Sequence, residues 1–279
     1  MELRDVRTVV GVDLAGVPAR TGVVVITLEH GRAVATVPAP TFVADDASLV
    51  RLVGPSTVVG LDAPLGWPDD FVAAISAHQR GEAWPGSAAL DGVRSRENLR
   101  YRRTDRFVQS LDVGSTPLSV SSDLIGVVAM RAALLQDRWS AAWGTRETRD
   151  GSGRVVETYP AAALRVWELL ARRGVRYKGG GNEQKVSEQR AARGAIVSAL
   201  TTATSPWLAT SSSLRERAVE SDHVLDALVC ALVAVAAKAG VTHRVPPDDG
   251  VVAAREGWIH VPKVSLVDLS RFVVSDDAA

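Results

Sequence analysis

The chain has 279 residues, 46% of them hydrophobic and 23% charged, which is enough apolar material for a buried core and argues against wholesale disorder. Its formal net charge is zero, so any contact with nucleic acid must come from a local basic patch rather than an overall positive field. The single cysteine, Cys230, excludes an internal disulfide and a cysteine-based zinc site, and its apolar surroundings predict a buried thiol.

The sequence shows no targeting or membrane-spanning segment. The opening MELRDVRTVV carries charges and no apolar stretch of the kind found in a secretory signal peptide. The longest apolar run is interrupted by Asp226 and is short for a membrane span. We therefore expect a cytoplasmic protein with no membrane partner.

Val-rich apolar runs bounded by turn residues predict the β-strands. These runs are residues 8–16, 21–30, 31–40, 56–68, 154–160 and 256–262. The first three follow one another through short turns, which is typical of an antiparallel meander.

Helical spacing of apolar residues, often after an acidic first turn, predicts the helices. They cover residues 45–53, 69–80, 124–139, 161–174, 183–200 and 221–237. Residues 81–153 are otherwise irregular, and we interpret them as a helical insertion within a single domain spanning residues 1–279. The alternation of strands and helices predicts a mixed α/β sheet with helices packed on it.

Several carboxylates stand where apolar neighbours predict burial. Asp13 closes one apolar strand, Asp62 closes another and Glu157 closes a third, while Asp226 interrupts the apolar helix. Burying an ionised carboxylate costs several kcal/mol unless it is paired or binds a metal. Because parallel strands end at one edge of a sheet, we expect these carboxylates to cluster there. Asp222 lies one helical turn before Asp226 on the same face.

A cluster of carboxylates repels itself unless some are protonated or a hard cation neutralises them. Mg²⁺ and Mn²⁺ prefer oxygen ligands, and two such ions roughly 3.5–4 Å apart can activate a water and stabilise the leaving oxygen of a phosphodiester. The carboxylates therefore indicate a Mg²⁺ or Mn²⁺ site.

Each carboxylate also has a purely structural interpretation. Asp226 could be a hydrogen-bonded interior residue, and Asp13 and Asp62 could stabilise turns after their strands. Glu157 could lie near the start of the next helix, and Asp222 could be a helix N-cap. These alternatives remain open at this point.

A basic segment, VRSRENLRYRRTDR at residues 93–106, is the strongest candidate for contact with phosphates. Its arginines are Arg94, Arg96, Arg100, Arg102, Arg103 and Arg106. Arginine suits bidentate phosphate contacts, and Tyr101 could stack on a base. The alternative is a solvated helix face with internal ion pairs.

Other chemistries lack their motifs. The chain has no GxSxG or HExxH sequence, and the glycines at 179–181 lack the GxxxxGK pattern, which favours an ordinary loop. His223, next to Asp222, could transfer a proton or bind a metal, although a lone helical histidine is more often structural.

Six segments in order carry a family resemblance: VVGVDLAG, VVGLDAPLGWP, YRRTDR, VVETYPAAAL, SDHVLDALVCALVA and EGWIHVP. Together they resemble the family called domain of unknown function 429, whose members are described as predicted nucleases with a ribonuclease H-like fold. The resemblance extends from residue 8 to about residue 262.

The resemblance implies a ribonuclease H-like mixed five-stranded sheet flanked by helices, with the fourth strand beside the first. In that superfamily, acidic residues on the first strand, the fourth strand and a late helix bind divalent metals. Asp13, Asp62 and Asp226 match those positions, and Asp222 is a further candidate. Glu157 lies in a family motif whose chemical role is not settled.

The YRRTDR motif favours a position facing the site for Arg102, Arg103 and Thr104, which we therefore expect to bind substrate. We expect a Mg²⁺- or Mn²⁺-dependent nuclease that acts on nucleic acid. Its predicted catalytic residues are Asp13, Asp62, Glu157, Asp222 and Asp226.

Two other functions remain open from the sequence. Phosphotransferases and nucleotide hydrolases share this core, but they normally carry a second copy of the domain and glycine-rich phosphate loops, and this chain is short for two copies and has no such loops. A non-catalytic binding protein could keep the same carboxylates. Nucleotide binding would favour the first, and failure to bind any divalent ion would favour the second.

Overall fold

A computed structural model describes residues 2–29, 32–39, 41–84, 96–170 and 176–274. Within these ranges, seven strands form one mixed sheet. The strands are β1 (Thr8–Asp13), β2 (Gly22–Glu29), β3 (Arg32–Thr36), β4 (Thr57–Asp62), β5 (Val155–Thr158), β6 (Leu208–Thr210) and β7 (Ile259–His260).

Helices cover both faces of this sheet. They are α1 (Asp46–Arg51), α2 (Asp69–Gln79), α3 (Glu97–Arg100), α4 (Arg103–Ser110), α5 (Gly126–Trp143), α6 (Pro160–Val166), α7 (Glu183–Thr204), α8 (Ser212–Glu220), α9 (Asp222–Lys238), α10 (Gly250–Glu256) and α11 (Leu266–Val274). The predicted mixed α/β class is confirmed. No helix in the described ranges has both the length and the apolar composition needed to cross a membrane.

The strand order is β6-β3-β2-β1-β4-β5-β7. The first three strands form the predicted antiparallel meander, and β4, β5 and β7 continue the sheet in parallel from β1. The expected count of five strands is too low, because β6 pairs with the free edge of β3 and β7 pairs with β5. Both are short edge strands. β7 lies within the strand predicted at residues 256–262, whereas the three-residue β6 has too few residues to show an alternating pattern.

Strands β1 and β4 have nearly the same sequence, TVVGVD and TVVGLD, and they pair residue for residue in parallel. Asp13 is therefore the register partner of Asp62. Since side chains alternate between the two faces of a strand, aligned partners project from the same face of the sheet. The two aspartates consequently leave the sheet at one edge and on one side.

Helix α9 lies directly against that side of the sheet, and residues 224–236 are all buried. Three glycines allow this approach, because a Cβ on Gly11, Gly22 or Gly60 would overlap a backbone carbonyl oxygen of α9. The close packing brings the first turns of α9 to the edge where β1 and β4 end.

One predicted helix is shorter than expected. The sequence favours a helix over 161–174, but α6 ends at Val166. Glu168 adopts a left-handed conformation, with φ of 59°, which stops the helix. Residues 171–174 of the expected helix lie outside the described residues.

Candidate metal centre

Asp13, Asp62 and Asp226 meet where β1 and β4 end. Each offers one carboxylate oxygen, and the three oxygens lie within 4.8 Å of one another. Asp13 and Asp62 come from paired strands, and Asp226 reaches them from one turn inside α9. The cluster could hold a divalent ion, because a set of only oxygen ligands suits hard cations.

The deepest of the three carboxylates is that of Asp226, whose side chain is 1% exposed. The Tyr177 hydroxyl donates a hydrogen bond to its Oδ1 at 2.9 Å, and the Lys178 ammonium forms an ion pair with its Oδ2. Burial raises the pKa of Asp226 to about 7, with the charge of Asp13 adding to the effect and Lys178 opposing it. Burial and the charge of Asp13 also raise the pKa of Asp62 well above its usual range.

Lys178 is a site residue that sequence reasoning did not identify. Burial alone would lower the pKa of its ammonium, but the nearby charges, chiefly that of Asp226, hold this pKa above its usual range. The sequence shows a second basic zone at residues 172–185 that contains Lys178, but nothing in that zone singles out Lys178. A cluster of carboxylates needs a neutralising cation, and Lys178 stands immediately before the three glycines that we interpreted as an ordinary loop.

His223 stands beside the cluster on the first turn of α9. Its Nδ1 lies 2.6 Å from Oδ2 of Asp13. This hydrogen bond, together with the charges of Asp13, Asp222 and Asp226, raises the pKa of the imidazole. His223 is therefore suited to hold a proton against Asp13.

Glu157, predicted as a catalytic carboxylate, lines the same cavity as Asp13 and Asp62, but it is not one of the three clustered carboxylates. Its register partner on β4 is Leu61, the neighbour of Asp62, so its side chain projects from the opposite face. There, two Arg102 nitrogens donate to its oxygens at 2.7 and 3.0 Å, and the Leu65 amide donates at 3.1 Å. Burial raises the pKa of Glu157, and Arg102 opposes that rise.

Arg102, predicted to bind substrate, is 2% exposed and uses every N–H group of its guanidinium inside the protein. Its acceptors are Glu157, Asp105 and the carbonyl oxygen of Glu256. No N–H group remains for a substrate phosphate.

The two residues that follow Arg102 also make contacts within the fold. Thr104 is fully buried, and its hydroxyl accepts a hydrogen bond from the Ile259 amide at 2.7 Å. Arg103 is exposed and pairs with Asp249 at 3.0 Å. Arg94 of the same basic segment lies outside the described residues.

Asp222 is the first residue of α9 and is partly exposed. Among the described residues, the group of oxygens within 4.8 Å does not include it. The N-cap is Ser221, so the alternative N-cap role of Asp222 is not observed either. The charge of Asp222 helps to raise the pKa of His223, so Asp222 lies beside the cluster rather than in it.

A cavity of about 1020 Å³ borders the cluster, and Asp13 and Asp62 form part of its lining. Its basic lining residues are Arg102, Arg165, Arg176 and Lys178, and an apolar wall includes Leu118, Ile125, Val128 and Tyr159. Carboxylates, cations and apolar surface thus face one space that is large enough for a small organic group.

No protein of curated function matches this chain significantly, and neither does any solved structure. One family model matches residues 11–250, a range that includes all three clustered aspartates and the whole of α9. On that match, the chain belongs to the family described as Protein of unknown function (DUF429).

Proposed function

We propose that the protein is a divalent-metal-dependent phosphodiesterase that acts on nucleic acid through a ribonuclease H-like core. The observation that carries the proposal is the meeting of Asp13, Asp62 and Asp226, whose oxygens lie within 4.8 Å of one another beside a cavity. The strand order supports the fold assignment, because the first three strands are antiparallel and β4 lies beside β1, as the family resemblance implies.

The donor set fits Mg²⁺ or Mn²⁺. All three ligands are carboxylates, which hard cations prefer, and Asp13, Asp62 and Asp226 would hold the ion. A bound divalent ion supplies activation of a water and stabilisation of the leaving oxygen in phosphodiester hydrolysis.

The protein's own side chains would bind and orient the substrate. Arg165, Arg176 and Lys178 line the cavity and can contact phosphate oxygens, with arginine able to do so bidentately. The ring of Tyr159 offers an apolar surface for a base or sugar. His223 holds a proton at Nδ1 against Asp13, within reach of the site.

The experiment is cleavage of a panel of labelled DNA and RNA, single-stranded, duplex and branched, with Mn²⁺, with Mg²⁺ or with chelator. We expect the parent protein to cleave at least one substrate only when metal is present. Asp62→Asn should lose this activity, because it removes one ligand charge while keeping the shape of the side chain. Glu188→Gln, on the exposed face of α7, is the matched control and should cleave like the parent.

The alternatives give different outcomes in the same assay. Metal-dependent hydrolysis of nucleoside triphosphates without cleavage of any nucleic acid would replace the proposal with a nucleotide hydrolase. Absence of metal-dependent turnover on every substrate, with retained binding, would favour a non-catalytic binding protein.

A further inference from the structure

We propose that Lys178 is a built-in counter-ion that competes with the divalent ion for Asp226, so that metal binding displaces the Lys178 ammonium into the cavity. The inference rests on the metal site of the proposed function and adds a regulating residue to it. The observation behind it is the ion pair between Lys178 and Asp226, one of the three aspartates whose oxygens cluster.

Both oxygens of Asp226 are engaged by one dipeptide. Tyr177 donates its hydroxyl to Oδ1, and Lys178 pairs with Oδ2. A neutral hydroxyl can keep its hydrogen bond while the carboxylate ligates an ion, because the oxygen has a second lone pair. The ammonium is a positive charge, and a second cation on the same buried carboxylate would repel it strongly at low local dielectric.

Without metal, the ammonium has a clear structural role. Asp226 is almost fully buried and Asp13 is buried beside it, and uncompensated charges there would destabilise the fold. In the part of the chain that the structure describes, Lys178 is the cation that contacts Asp226, and His223 is the group that contacts Asp13. Lys178 therefore supplies the positive charge that a metal ion would otherwise bring.

The chain around Lys178 allows the ammonium to move while its neighbour stays fixed. Tyr177 is buried, and its carbonyl oxygen accepts a hydrogen bond from Arg193 at 2.8 Å. The Lys178 side chain is 41% exposed and lines the cavity. Gly179 and Gly181 follow, with φ of 111° and 154°, which are conformations that favour glycine. A displaced ammonium would stay at the cavity, where a substrate phosphate would meet it.

The test is Mn²⁺ binding measured by isothermal titration calorimetry on metal-free protein. Lys178→Met keeps the length of the side chain and removes its charge, so we expect Mn²⁺ to bind at least tenfold more tightly than to the parent. Lys178→Arg should bind like the parent. Lys185→Met is the matched control, because it removes an exposed lysine charge early in α7, and its Mn²⁺ affinity should not change.

Thermal melts provide a second readout that does not depend on activity. In chelator, Lys178→Met should melt below the parent, and saturating Mn²⁺ should close that gap because the ion replaces the missing charge. If Lys178→Met fails to fold in chelator, it can be prepared with Mn²⁺ together with Lys178→Gln. We then expect both variants to lose Mn²⁺ to a competing chelator more slowly than the parent does.

The outcomes separate this inference from the proposed function. If the parent binds Mn²⁺ and Lys178→Met binds it equally well or more weakly, Lys178 does not compete with the ion, and the proposed metal site stands. Absence of Mn²⁺ binding in every variant overturns both. A parent that binds Mn²⁺ in competition with Lys178 yet cleaves nothing overturns only the nuclease function.

Discussion

The guanidinium of Arg102 joins three segments that are far apart in the chain. It binds Asp105 on α4, Glu157 on β5 and the carbonyl oxygen of Glu256 at the end of α10, with N–O distances of 2.7 to 3.2 Å. Because the group is buried, removing it leaves two carboxylates inside the protein without a cation. The cost of breaking such a pair is much larger than the net stabilisation that the pair provides.

We therefore predict that Arg102→Met lowers the free energy of unfolding by about 3–5 kcal/mol, measured by urea denaturation. Arg103→Met is the control, because its exposed pair with Asp249 should contribute less than about 1 kcal/mol. An Arg102→Met protein of parental stability with weakened nucleic-acid binding would contradict this prediction and return Arg102 to a substrate role.

Residue-level reasoning from the sequence located the aspartates for a sound physical reason. A carboxylate at the end of an apolar run or within one has to be paired, protonated or bound to metal. Asp13 and Asp62 end such runs, and Asp226 lies within one. Lys178 was not predictable in the same way. Nothing in its local sequence shows that Asp226, which follows it by several elements, folds back onto it.

At the scale of elements, the contact of α9 with the sheet determines the geometry of the site. Gly11 and Gly60 are register partners on β1 and β4, two positions before the aspartates and on the same face. A side chain at either position would overlap the α9 backbone. The distance between Asp226 and the two strand-end aspartates therefore depends on these glycines.

We predict that Gly60→Ala destabilises the protein by about 1–3 kcal/mol, because the added methyl group forces α9 away from the sheet. It should also reduce the increase in melting temperature that Mn²⁺ gives, since Asp226 moves with α9. Gly194→Ala in α7 is the control, as its Cβ would meet nothing within 4 Å, and it should be neutral or stabilising by up to about 1 kcal/mol. If Gly60→Ala is as stable as the parent and its melting temperature rises as much with Mn²⁺, the close contact between α9 and the sheet is not needed.

The long elements were predictable from their periodicity, and the register between strands was not. Glu157 follows two buried valines as Asp62 follows its own apolar run, so the sequence placed both at one site. The pairing of Glu157 with Leu61 offsets β5 by one residue and turns its side chain to the other face. The near-identity of β1 and β4 was the available signal for the pairing of Asp13 with Asp62.

At the scale of the whole molecule, a buried histidine links stability to pH. The Nδ1 of His260 lies 2.8 Å from the Thr242 hydroxyl, and its Nε2 lies 3.2 Å from the Asp150 carbonyl oxygen. Burial lowers the pKa of His260 to about 4. Between that value and the unfolded pKa near 6.5, the unfolded chain binds a proton that the folded protein does not, so stability falls as pH falls.

We predict that His260→Gln reduces the loss of stability between pH 7 and pH 4 by up to about 3 kcal/mol. The measurement is urea denaturation at a series of pH values. His78→Gln is the control, because it removes a histidine from the exposed surface instead of from the core. A parental pH profile in His260→Gln would mean that other groups produce the acid sensitivity.

The overall class could be predicted from the sequence because alternating strands and helices leave few packing solutions. The strand β6 could not, since its three residues pair only where β3 offers them an edge, whereas β7 lies within the strand predicted at residues 256–262. The candidate metal ligands could likewise be predicted individually from the sequence, whereas the distances between them are known only from the tertiary structure.

The positions of the clustered aspartates along the chain also bear on how the protein is made. Asp13 and Asp62 belong to its first quarter, and Lys178 and Asp226 follow much later. At a synthesis rate of roughly 5–20 residues per second, Lys178 follows Asp62 by on the order of ten seconds. During that interval, parallel pairing of β1 with β4 would set two like charges side by side, which opposes the pairing. The meander of β1 to β3 can form early on the ribosome, whereas Lys178, whose charge offsets that of the acidic edge, is added only later.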